Sequence, residues 1–199
     1  MHRDADGKAL RIVGITRDIT LKKQAENRIW QLAHSDSLTG LPNRALFYDR
    51  LRQSIAQATR HNRKFALLFL DLDGFKKIND KFGHDAGDEL LQEVTARLRQ
   101  NIREEDTVAR IGGDEFIFIL NDLSDAGNAA LTAQKIIHSL EAPFVIHENI
   151  CQIGGSIGIS TFPDDSDKME TLVTQADDAM YQAKKNGKNN YQFFNSPSA

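Results

Sequence analysis

Two short runs of β-forming residues flank a pair of glycines near the middle of the chain, and this arrangement constrains the fold most strongly. The runs are residues 108–111 and 116–120, and Gly112-Gly113 between them is typical of a tight hairpin. Asp114 and Glu115 follow, so the hairpin presents two adjacent carboxylates at or beside its tip. Each disfavours the ionised form of the other, which indicates that a cation or a polar ligand binds there. A solvated acidic turn is the alternative.

A second pair of acidic residues follows a segment that is apolar throughout. Phe65–Leu70 has the pattern of a strand covered on both faces. Asp71 and Asp73 come next, and the two-residue period of a strand places them on the same side. Carboxylates on two rigid elements can hold divalent cations against a triphosphate. Mg²⁺ is the metal that this ligand set favours, with Mn²⁺ as the alternative.

Lysines and backbone amides are the candidates for phosphate contacts, because the sequence contains neither GxxxxGK[ST] nor GxGxxG. Residues 74–77, directly after the predicted strand, offer backbone amides and a lysine. Lys184, Lys185 and Lys188 cluster at the end of the last predicted helix. Each lysine alone is best explained as a solvated charge or a partner of the helix dipole, but together they form a reasonable triphosphate clamp.

Helical and strand patterns alternate along the chain, with frequent hairpins. Asn43 is predicted to cap a helix whose apolar residues recur from 47 to 58. The other predicted elements are helices at Thr20–His34, Leu90–Ile102, Ala126–Leu140 and Met169–Lys184, a strand pair within Phe144–Thr161 that contains Gly154-Gly155, and a short strand at Tyr191–Phe194. This alternation predicts an α/β fold of the α+β kind, with a mixed sheet flanked by helices.

Composition limits the class of protein. The chain has 199 residues, 40% of them hydrophobic, and can bury one full core plus a short appendage. The single cysteine, Cys151, excludes an internal disulfide and is predicted to be a small core residue. The net charge of −3 argues against nucleic-acid binding. No segment approaches the ~20 apolar residues of a membrane span, so we expect a cytoplasmic fragment without membrane contact, whether or not the full-length protein is membrane-anchored.

The chain resembles the GGDEF family of diguanylate cyclases through four motifs in the family's order and spacing. They are DSLTGLPNR at residues 36–44, DLDGFKKINDKFGHDAGDELL at 71–91, GGDEF at 112–116 and ADDAMYQAKKNGKN at 176–189. The resemblance implies a nucleotidyl-cyclase palm, a largely antiparallel central sheet wrapped by helices. It also implies an enzyme that uses Mg²⁺ to condense two GTP into cyclic di-GMP, with release of two pyrophosphates, as a homodimer.

The same resemblance assigns catalytic and metal-binding roles to residues of this sequence. Asp71 is similar to a magnesium ligand of the family, and Leu72 corresponds to a residue that supplies a backbone carbonyl ligand. Asp114 corresponds to a ligand that doubles as the proton acceptor, and Glu115 to a residue that assists the second metal. The resemblance thus places Asp114 and Glu115 in catalysis, and Asp71 and Leu72 with them at the metal ions.

Substrate contacts are also implied by the resemblance. The residues concerned are Asn79 and Asp88 for guanine, Phe75 and Lys76 with the neighbouring loop amides for phosphates, and Lys184 and Lys188 for the triphosphate. The family often has arginine at the last of these positions. Lysine keeps the positive charge but loses the bidentate fork of a guanidinium, which weakens the expectation for Lys188.

The first 35 residues resemble the end of a PAS sensor domain followed by a signalling helix. We expect a sensor remnant at 1–18, where Leu10, Ile12 and Gly14 alternate as in a strand, and a linker helix at 19–35. In the helix, apolar residues recur as a narrow stripe: Leu21, Ala25, Ile29 and Leu32. The stripe favours a short parallel coiled coil with a second copy, the alternative being packing against its own domain. The catalytic domain is expected at 36–195 and a tail at 196–199.

Arg103 and Asp106 form an R-x-x-D pair that ends four residues before Arg110. This offset is similar to that of the product-inhibition site in the GGDEF cyclases that have one. A guanidinium can bind phosphate or a guanine acceptor edge, and a carboxylate can accept the donor pair of guanine. An exposed ion pair without function is the alternative.

Two other functions remain open from the sequence. A catalytically silent regulator that binds GTP or cyclic di-GMP would share the fold, but such proteins usually lack a carboxylate in the motif, whereas Asp114 and Glu115 are both present. A mononucleotide cyclase on a related palm is less compatible with the guanine motif.

Overall fold

The computed structural model describes residues 2–3, 5–6, 9–11 and 17–195, and its contacts divide the chain into two compact units, Met1–Ala33 and His34–Ala199. In the first unit, β1 (His2–Arg3) pairs antiparallel with β2 (Ala9–Arg11), and the helix α1 (Thr20–His34) follows. The strand at Leu10 and the helix are confirmed, whereas Ile12 and Gly14 lie outside the described residues. The first turn of α1 is capped by Asp18, whose Oδ1 accepts a hydrogen bond from the backbone N–H of Thr20 at 2.8 Å.

The second unit contains a five-stranded sheet and five helices. Its elements are α2 (Arg44–His61), β3 (Lys64–Asp73), α3 (Phe75–Phe82), α4 (His84–Gln100), β4 (Thr107–Gly112), β5 (Glu115–Leu123), α5 (Ala126–Glu141), β6 (Phe144–Ile146), β7 (Asn149–Cys151), β8 (Gly154–Phe162), α6 (Met169–Lys185) and β9 (Tyr191–Phe193). The sheet has the order β4-β5-β3-β8-β9, and only the β8–β9 pair is parallel. A mixed, largely antiparallel sheet wrapped by helices is therefore confirmed.

The central strand β3 is buried on both faces, as its apolar sequence predicts. Leu68 and Leu70 point into a core formed with α3, α4 and α5. Leu67 and Phe69 point to the opposite face, into a core formed with α2 and α6. The hydrophobic alternation places the following acidic residues at the end of a strand that packing holds rigidly.

The secondary structure differs from the prediction in two places. No helix was predicted directly after β3, but residues 74–77 are Gly74 and the first turn of α3. The segment predicted as a strand pair forms three strands, β6, β7 and β8, and Gly154-Gly155 begins β8. Cys151, at the end of β7, is buried as predicted. Among the described residues, no helix is both long and apolar enough to cross a membrane.

The helix α6 lies directly on β8 because residue 158 has no side chain. A Cβ at Gly158 would lie 1.9 Å from the carbonyl oxygen of Ala176 and 2.1 Å from the backbone N of Met180. Both contacts are to backbone atoms, so the helix itself would have to move. The close approach fixes the height of α6 above the sheet.

We therefore expect Gly158→Ala to lower the free energy of unfolding by about 1–3 kcal/mol or more, the usual cost of overpacking. Gly155→Ala is the matched control on the same strand, because its Cβ would meet only the ends of the Leu70 and Leu140 side chains, at 2.8 and 2.9 Å. Denaturant unfolding of both variants measures the difference. A larger loss for Gly155→Ala would contradict this account of the α6–β8 contact.

Candidate active site

The turn between β4 and β5 carries Asp114 and is held by Arg110 and by the central strand β3. Gly113 has a φ of 52°, in the left-handed region that favours glycine. The guanidinium of Arg110 donates to the carbonyl oxygen of Gly113 from Nε and Nη2, at 2.9 and 2.8 Å. The backbone N–H of Leu72 donates to the carbonyl oxygen of Asp114 at 3.2 Å. The turn is therefore attached both to its own strand and to β3.

Arg110 also connects the turn to the first motif of the domain. Its Nη1 lies 3.0 Å from Oδ1 of Asp36, and both side chains are largely buried. Burial by itself would raise the pKa of Asp36, but hydrogen bonds from Thr39 and Arg110 and the arginine charge outweigh it, so that the pKa is lowered. Asp36 therefore stays ionised and holds Arg110 in place.

Four carboxylates gather where β3, the β4–β5 turn and α6 meet. Asp71 lies opposite Glu115 in the β3–β5 pairing. Burial, and then the charge of Asp71, raise the pKa of Asp114. Burial, followed by the charges of Asp71, Asp177 and Asp114, raises the pKa of Glu115. The structure thus brings together Asp71, Asp114 and Glu115 as the sequence predicted, and adds Asp177.

The predicted triphosphate lysine, Lys184, forms an ion pair with the cluster. Its Nζ lies 2.7 Å from Oδ2 of Asp71, with 30% and 14% of the two side chains exposed. Partial burial makes this pair stronger than a typical surface ion pair. Lys184 also lowers the pKa of Asp114 and Glu115, against the larger effects of burial and of Asp71. The positively charged ammonium group of Lys184 therefore lies where the sequence predicts a metal ion.

The ligands available for Mg²⁺ are few but suitable. Within the described residues, no group of three or more His, Cys, Asp and Glu side chains is arranged to hold a metal ion. Mg²⁺ usually keeps several waters and takes only one or two carboxylates together with phosphate oxygens. Asp71 and Asp114, with the backbone carbonyl of Leu72, fit that requirement, and the hydrogen bond from the N–H of Leu72 to the carbonyl oxygen of Asp114 holds β3 and the turn together.

A polar side chain without a partner lies between α3 and α4. Oδ1 of Asn79 is buried and has no hydrogen-bond partner in the part of the chain that the structure describes. It lies over Gly87, where a Cβ would be 1.8 Å from this oxygen and 3.3 Å from the ring of Phe75. Asp88 follows on α4 and is exposed. An unsatisfied buried acceptor in a native fold needs an explanation, and a ligand that donates hydrogen bonds supplies one.

The start of α3 offers backbone amides close to this position. Gly74, with a φ of 92°, precedes the helix and provides no side-chain cap. The first N–H groups of a helix lack intrahelical partners and favour anions. Phe75 is buried and Lys76 is exposed at this end. Lys188 is exposed in the loop after α6, and the lysine that pairs with Asp71 is Lys184.

The R-x-x-D residues lie away from the carboxylates. Asp106 accepts hydrogen bonds from the backbone N–H groups of Arg103 and Asn121, at 3.1 and 2.9 Å. Burial is the main cause of its raised pKa. Arg103 is exposed, and its nearest carboxylate partner is Glu105, at 4.0 Å. The simple Arg103–Asp106 ion pair considered from the sequence is therefore not the arrangement observed.

Sequence reasoning missed two contributors to the site. Asp177 lies seven residues before Lys184, a spacing that puts both on one face of α6 and could have indicated its role. The Asp36–Arg110 pair joins residues 74 positions apart, and no local pattern indicates such a contact.

Comparison with known proteins identifies the family. Residues 33–190 match the sequence model of the family described as diguanylate cyclase, GGDEF domain. The chain is 47% identical over 173 residues to the bifunctional diguanylate cyclase/cyclic di-GMP phosphodiesterase MucR of Pseudomonas aeruginosa. This match covers 87% of this chain and 25% of MucR. This chain therefore belongs to the GGDEF family, and it spans about a quarter of the length of that relative.

Solved structures agree with this assignment. A structure of TpbB from Pseudomonas aeruginosa that comprises only the GGDEF domain has a TM-score of 0.79 at 40% identity, and the match covers 81% of this chain and 95% of that one. The coiled coil and GGDEF domain of DgcB from Caulobacter crescentus, solved with cyclic di-GMP, has a TM-score of 0.80 at 26% identity, and the match covers 88% of this chain and 93% of that one.

The raised pKa of Asp114 generates a prediction about stability without metal. An acid whose pKa is higher in the folded than in the unfolded state favours folding as the pH falls, and its ionisation at neutral pH lowers the free energy of unfolding. Asp114→Asn should therefore raise the midpoint of thermal unfolding in chelator at neutral pH by a few degrees. The gain should shrink as the pH falls through the pKa of Asp114.

Asp49→Asn is the control, because Asp49 is an exposed carboxylate on α2 whose hydrogen bonds within the described residues come from its helix neighbours Arg52 and Gln53. It should leave the midpoint almost unchanged. A lower midpoint for Asp114→Asn at neutral pH would show that the carboxylate stabilises the fold.

Proposed function

We propose that this domain is a diguanylate cyclase, which condenses two GTP into cyclic di-GMP and releases two pyrophosphates. The observation that carries the proposal is the gathering of Asp71, Asp114 and Glu115 around the ammonium group of Lys184 at the end of β3. Like charges held together in this way raise the pKa values of the carboxylates and are best explained by a ligand that brings positive charge.

Metal binding would use Asp71, Asp114 and the Leu72 carbonyl, with Glu115 assisting a second ion. Mg²⁺, with Mn²⁺ as the alternative, would neutralise the triphosphate and favour the ionised form of the attacking 3′-hydroxyl. Asp114 has a raised pKa and is suited to accept the proton of that hydroxyl. With Asp71 holding the metal, the ammonium group of Lys184 would be available to the triphosphate, together with Lys76 and Lys188.

Guanine would lie between α3 and α4. N1–H and the 2-amino group of guanine are adjacent donors, and the buried oxygen of Asn79 and the carboxylate of Asp88 are acceptors. Adenine presents one acceptor and one donor on the corresponding edge. A site built for specific polar groups rejects a substrate that lacks them by up to ~10⁴–10⁵-fold, so ATP would be a very poor substrate.

Turnover would require two domains, because each binds one GTP and the two half-sites must face each other. The helix α1 is suited to bring two copies together, since three residues of its apolar stripe are exposed: Leu21 at 82%, Ile29 at 66% and Leu32 at 65%. A parallel coiled coil of two such helices would bury them and raise the local concentration of the half-sites.

The deciding experiment is incubation of the protein with GTP and Mg²⁺, followed by chromatography of the products. Cyclic di-GMP and pyrophosphate are expected. Asp71→Ala and Asp114→Ala should reduce turnover by at least ~10²–10⁴-fold, the range for loss of a positioned general base alone. Asp49→Ala, the exposed carboxylate on α2, should retain activity. Near-parental activity of Asp114→Ala would reject the site.

A catalytically silent regulator is the second candidate, because another relative, 40% identical over 164 residues, is named as a cyclic di-GMP phosphodiesterase and not as a cyclase. Such a domain would bind GTP or cyclic di-GMP and form no product at any protein concentration. A 3′,5′-cyclic mononucleotide as the product would instead indicate a mononucleotide cyclase.

We further propose that cyclic di-GMP inhibits the domain through Arg103 and Asp106. The Arg103 side chain is exposed, and a cavity of about 360 Å³ beside it is also lined by Arg50 and Arg99. Three arginines around one cavity give it a positive charge that suits a ligand with two phosphates. Asp106 is held in place by two backbone N–H groups and can still accept further hydrogen bonds.

Arg103→Ala should stay active and accumulate more product than the parent, since Arg103 lies away from the carboxylates. Inhibition of the parent by cyclic di-GMP should not be relieved by excess GTP. Arg52→Ala, on the exposed surface of α2, is the matched control and should remain as sensitive as the parent. Inhibition that is purely competitive with GTP would argue against this site.

The domain organisation fits a regulated enzyme. We propose a sensor remnant at 1–18, a signalling helix at 19–35, the catalytic domain at 36–195 and a tail at 196–199. The division of the chain into two compact units between Ala33 and His34 supports a boundary before the catalytic domain. The use of GTP as substrate supports a cytoplasmic location for this domain.

A further inference from the structure

Asp73 lies two residues after Asp71, on the same side of β3, but its carboxylate has different partners. Oδ2 of Asp73 accepts a hydrogen bond from Oγ of Ser156 at 2.8 Å and another from the backbone N–H of Asn189 at 3.0 Å. Ser156 is fully buried on β8, and Asn189 belongs to the loop between α6 and β9. One carboxylate oxygen therefore joins two strands of the sheet to this loop.

The loop after α6 has a backbone that needs such an attachment. Three consecutive residues have left-handed φ values, 105° at Gly187, 64° at Lys188 and 48° at Asn189. Residues other than glycine disfavour this conformation, and a run of them persists only where surrounding contacts hold it. Besides Asp73, the loop is held by Glu141, whose Oε1 accepts from Nδ2 of Asn189 at 2.8 Å.

The same loop begins directly after the lysine that pairs with the carboxylate cluster. Lys184 is in the last turn of α6, and Lys188 lies within the left-handed run. The backbone N–H of Lys188 donates to the carbonyl oxygen of Ala183 at 3.1 Å, so the loop folds back on the helix end. Asp73 therefore links the strand that carries Asp71 to the segment that carries both lysines.

We infer that Asp73 is a positioning residue for triphosphate binding: it fixes the loop that carries Lys188 directly after Lys184, the lysine that pairs with Asp71, and it does not ligate metal. This inference rests on the proposed function, because it assumes that the two lysines bind the triphosphate of GTP. The two donors to Asp73, the hydroxyl of Ser156 and the backbone N–H of Asn189, can also donate hydrogen bonds to an uncharged carbonyl oxygen. Its charge is therefore dispensable, whereas its oxygen is not.

The test is equilibrium binding of two nucleotides in the presence of Mg²⁺. The first is the α,β-methylene analogue of GTP, which cannot release pyrophosphate, and the second is GMP. Asp73→Ala should bind the GTP analogue roughly tenfold more weakly, about the effect of one hydrogen bond to a charged group, and should bind GMP as the parent does. Asp73→Asn keeps an acceptor oxygen and should bind both nucleotides within about twofold of the parent.

Ser156→Ala is the second variant, because alanine fits the buried position and removes only one of the two hydrogen bonds to Asp73. It should show a smaller loss that is again confined to the GTP analogue, and it decides the question if Asp73→Ala does not fold. Equal losses for both nucleotides in the two alanine variants, or parental affinity for the analogue in Ser156→Ala, would overturn the inference. Loss of Mn²⁺ binding in Asp73→Asn, to the extent seen in Asp71→Asn, would show a metal ligand instead.

This binding experiment is independent of turnover. Parental protein that makes no cyclic di-GMP would reject the proposed cyclase, while the selective loss of the GTP analogue in Asp73→Ala would still establish the positioning role. Normal turnover combined with unselective binding losses would reject the positioning role alone.

Discussion

The pairing of β3 with a strand on each side is the constraint on which the site depends. Its register places Asp71 opposite Glu115 on β5 and opposite Ser156 on β8. Because both faces of β3 are buried, a shift by one residue would turn its leucines and phenylalanines to the wrong cores and Asp71 to the opposite face. The hydrophobic interior thus determines where the acidic side chains emerge, and the neighbouring strands and α6 supply their partners.

The carboxylate cluster is electrostatically unfavourable in the absence of ligand. Burial and mutual repulsion raise the pKa values of Asp114, Glu115 and Asp177, and Lys184 offsets only part of this effect. Proteins commonly retain such local conflicts where function requires them, and other regions provide the stability. Here the buried Arg110–Asp36 pair and the hydrogen bond from Leu72 to the turn hold Asp114 in place despite the repulsion.

The elements that were predicted well from the sequence have long and regular patterns of apolar residues. The central strand, the Gly112-Gly113 hairpin and the helices α5 and α6 repeat their apolar spacing often enough to be recognised. The helix α3 was missed because it has only eight residues between Gly74 and Gly83, too few for a repeated spacing. The number of strands in Phe144–Thr161 was underestimated because β6 and β7 have only three residues each, and at Gly155 the side chains of Leu70 and Leu140 leave no room for a Cβ.

The candidate site was predictable in its parts but not in its contacts. The acidic residues and lysines could be identified from local motifs, whereas the ion pair of Lys184 with Asp71 and the attachment of Asn189 to Asp73 depend on how distant segments pack. Nothing in the spacing of the sequence indicates which oxygen accepts from which donor. These contacts nevertheless decide which charges are available to a ligand.

The close approach of α6 to β8 at Gly158 has a consequence for how the sequence can diverge. The distance between the helix and the sheet is set by backbone atoms, and not by the size of the interlocking side chains. Apolar residues around Leu172 and Met180 can therefore be exchanged without changing the height of the helix, and Lys184 keeps its distance from Asp71. Sequence drift in this part of the core is decoupled from the geometry of the charged groups.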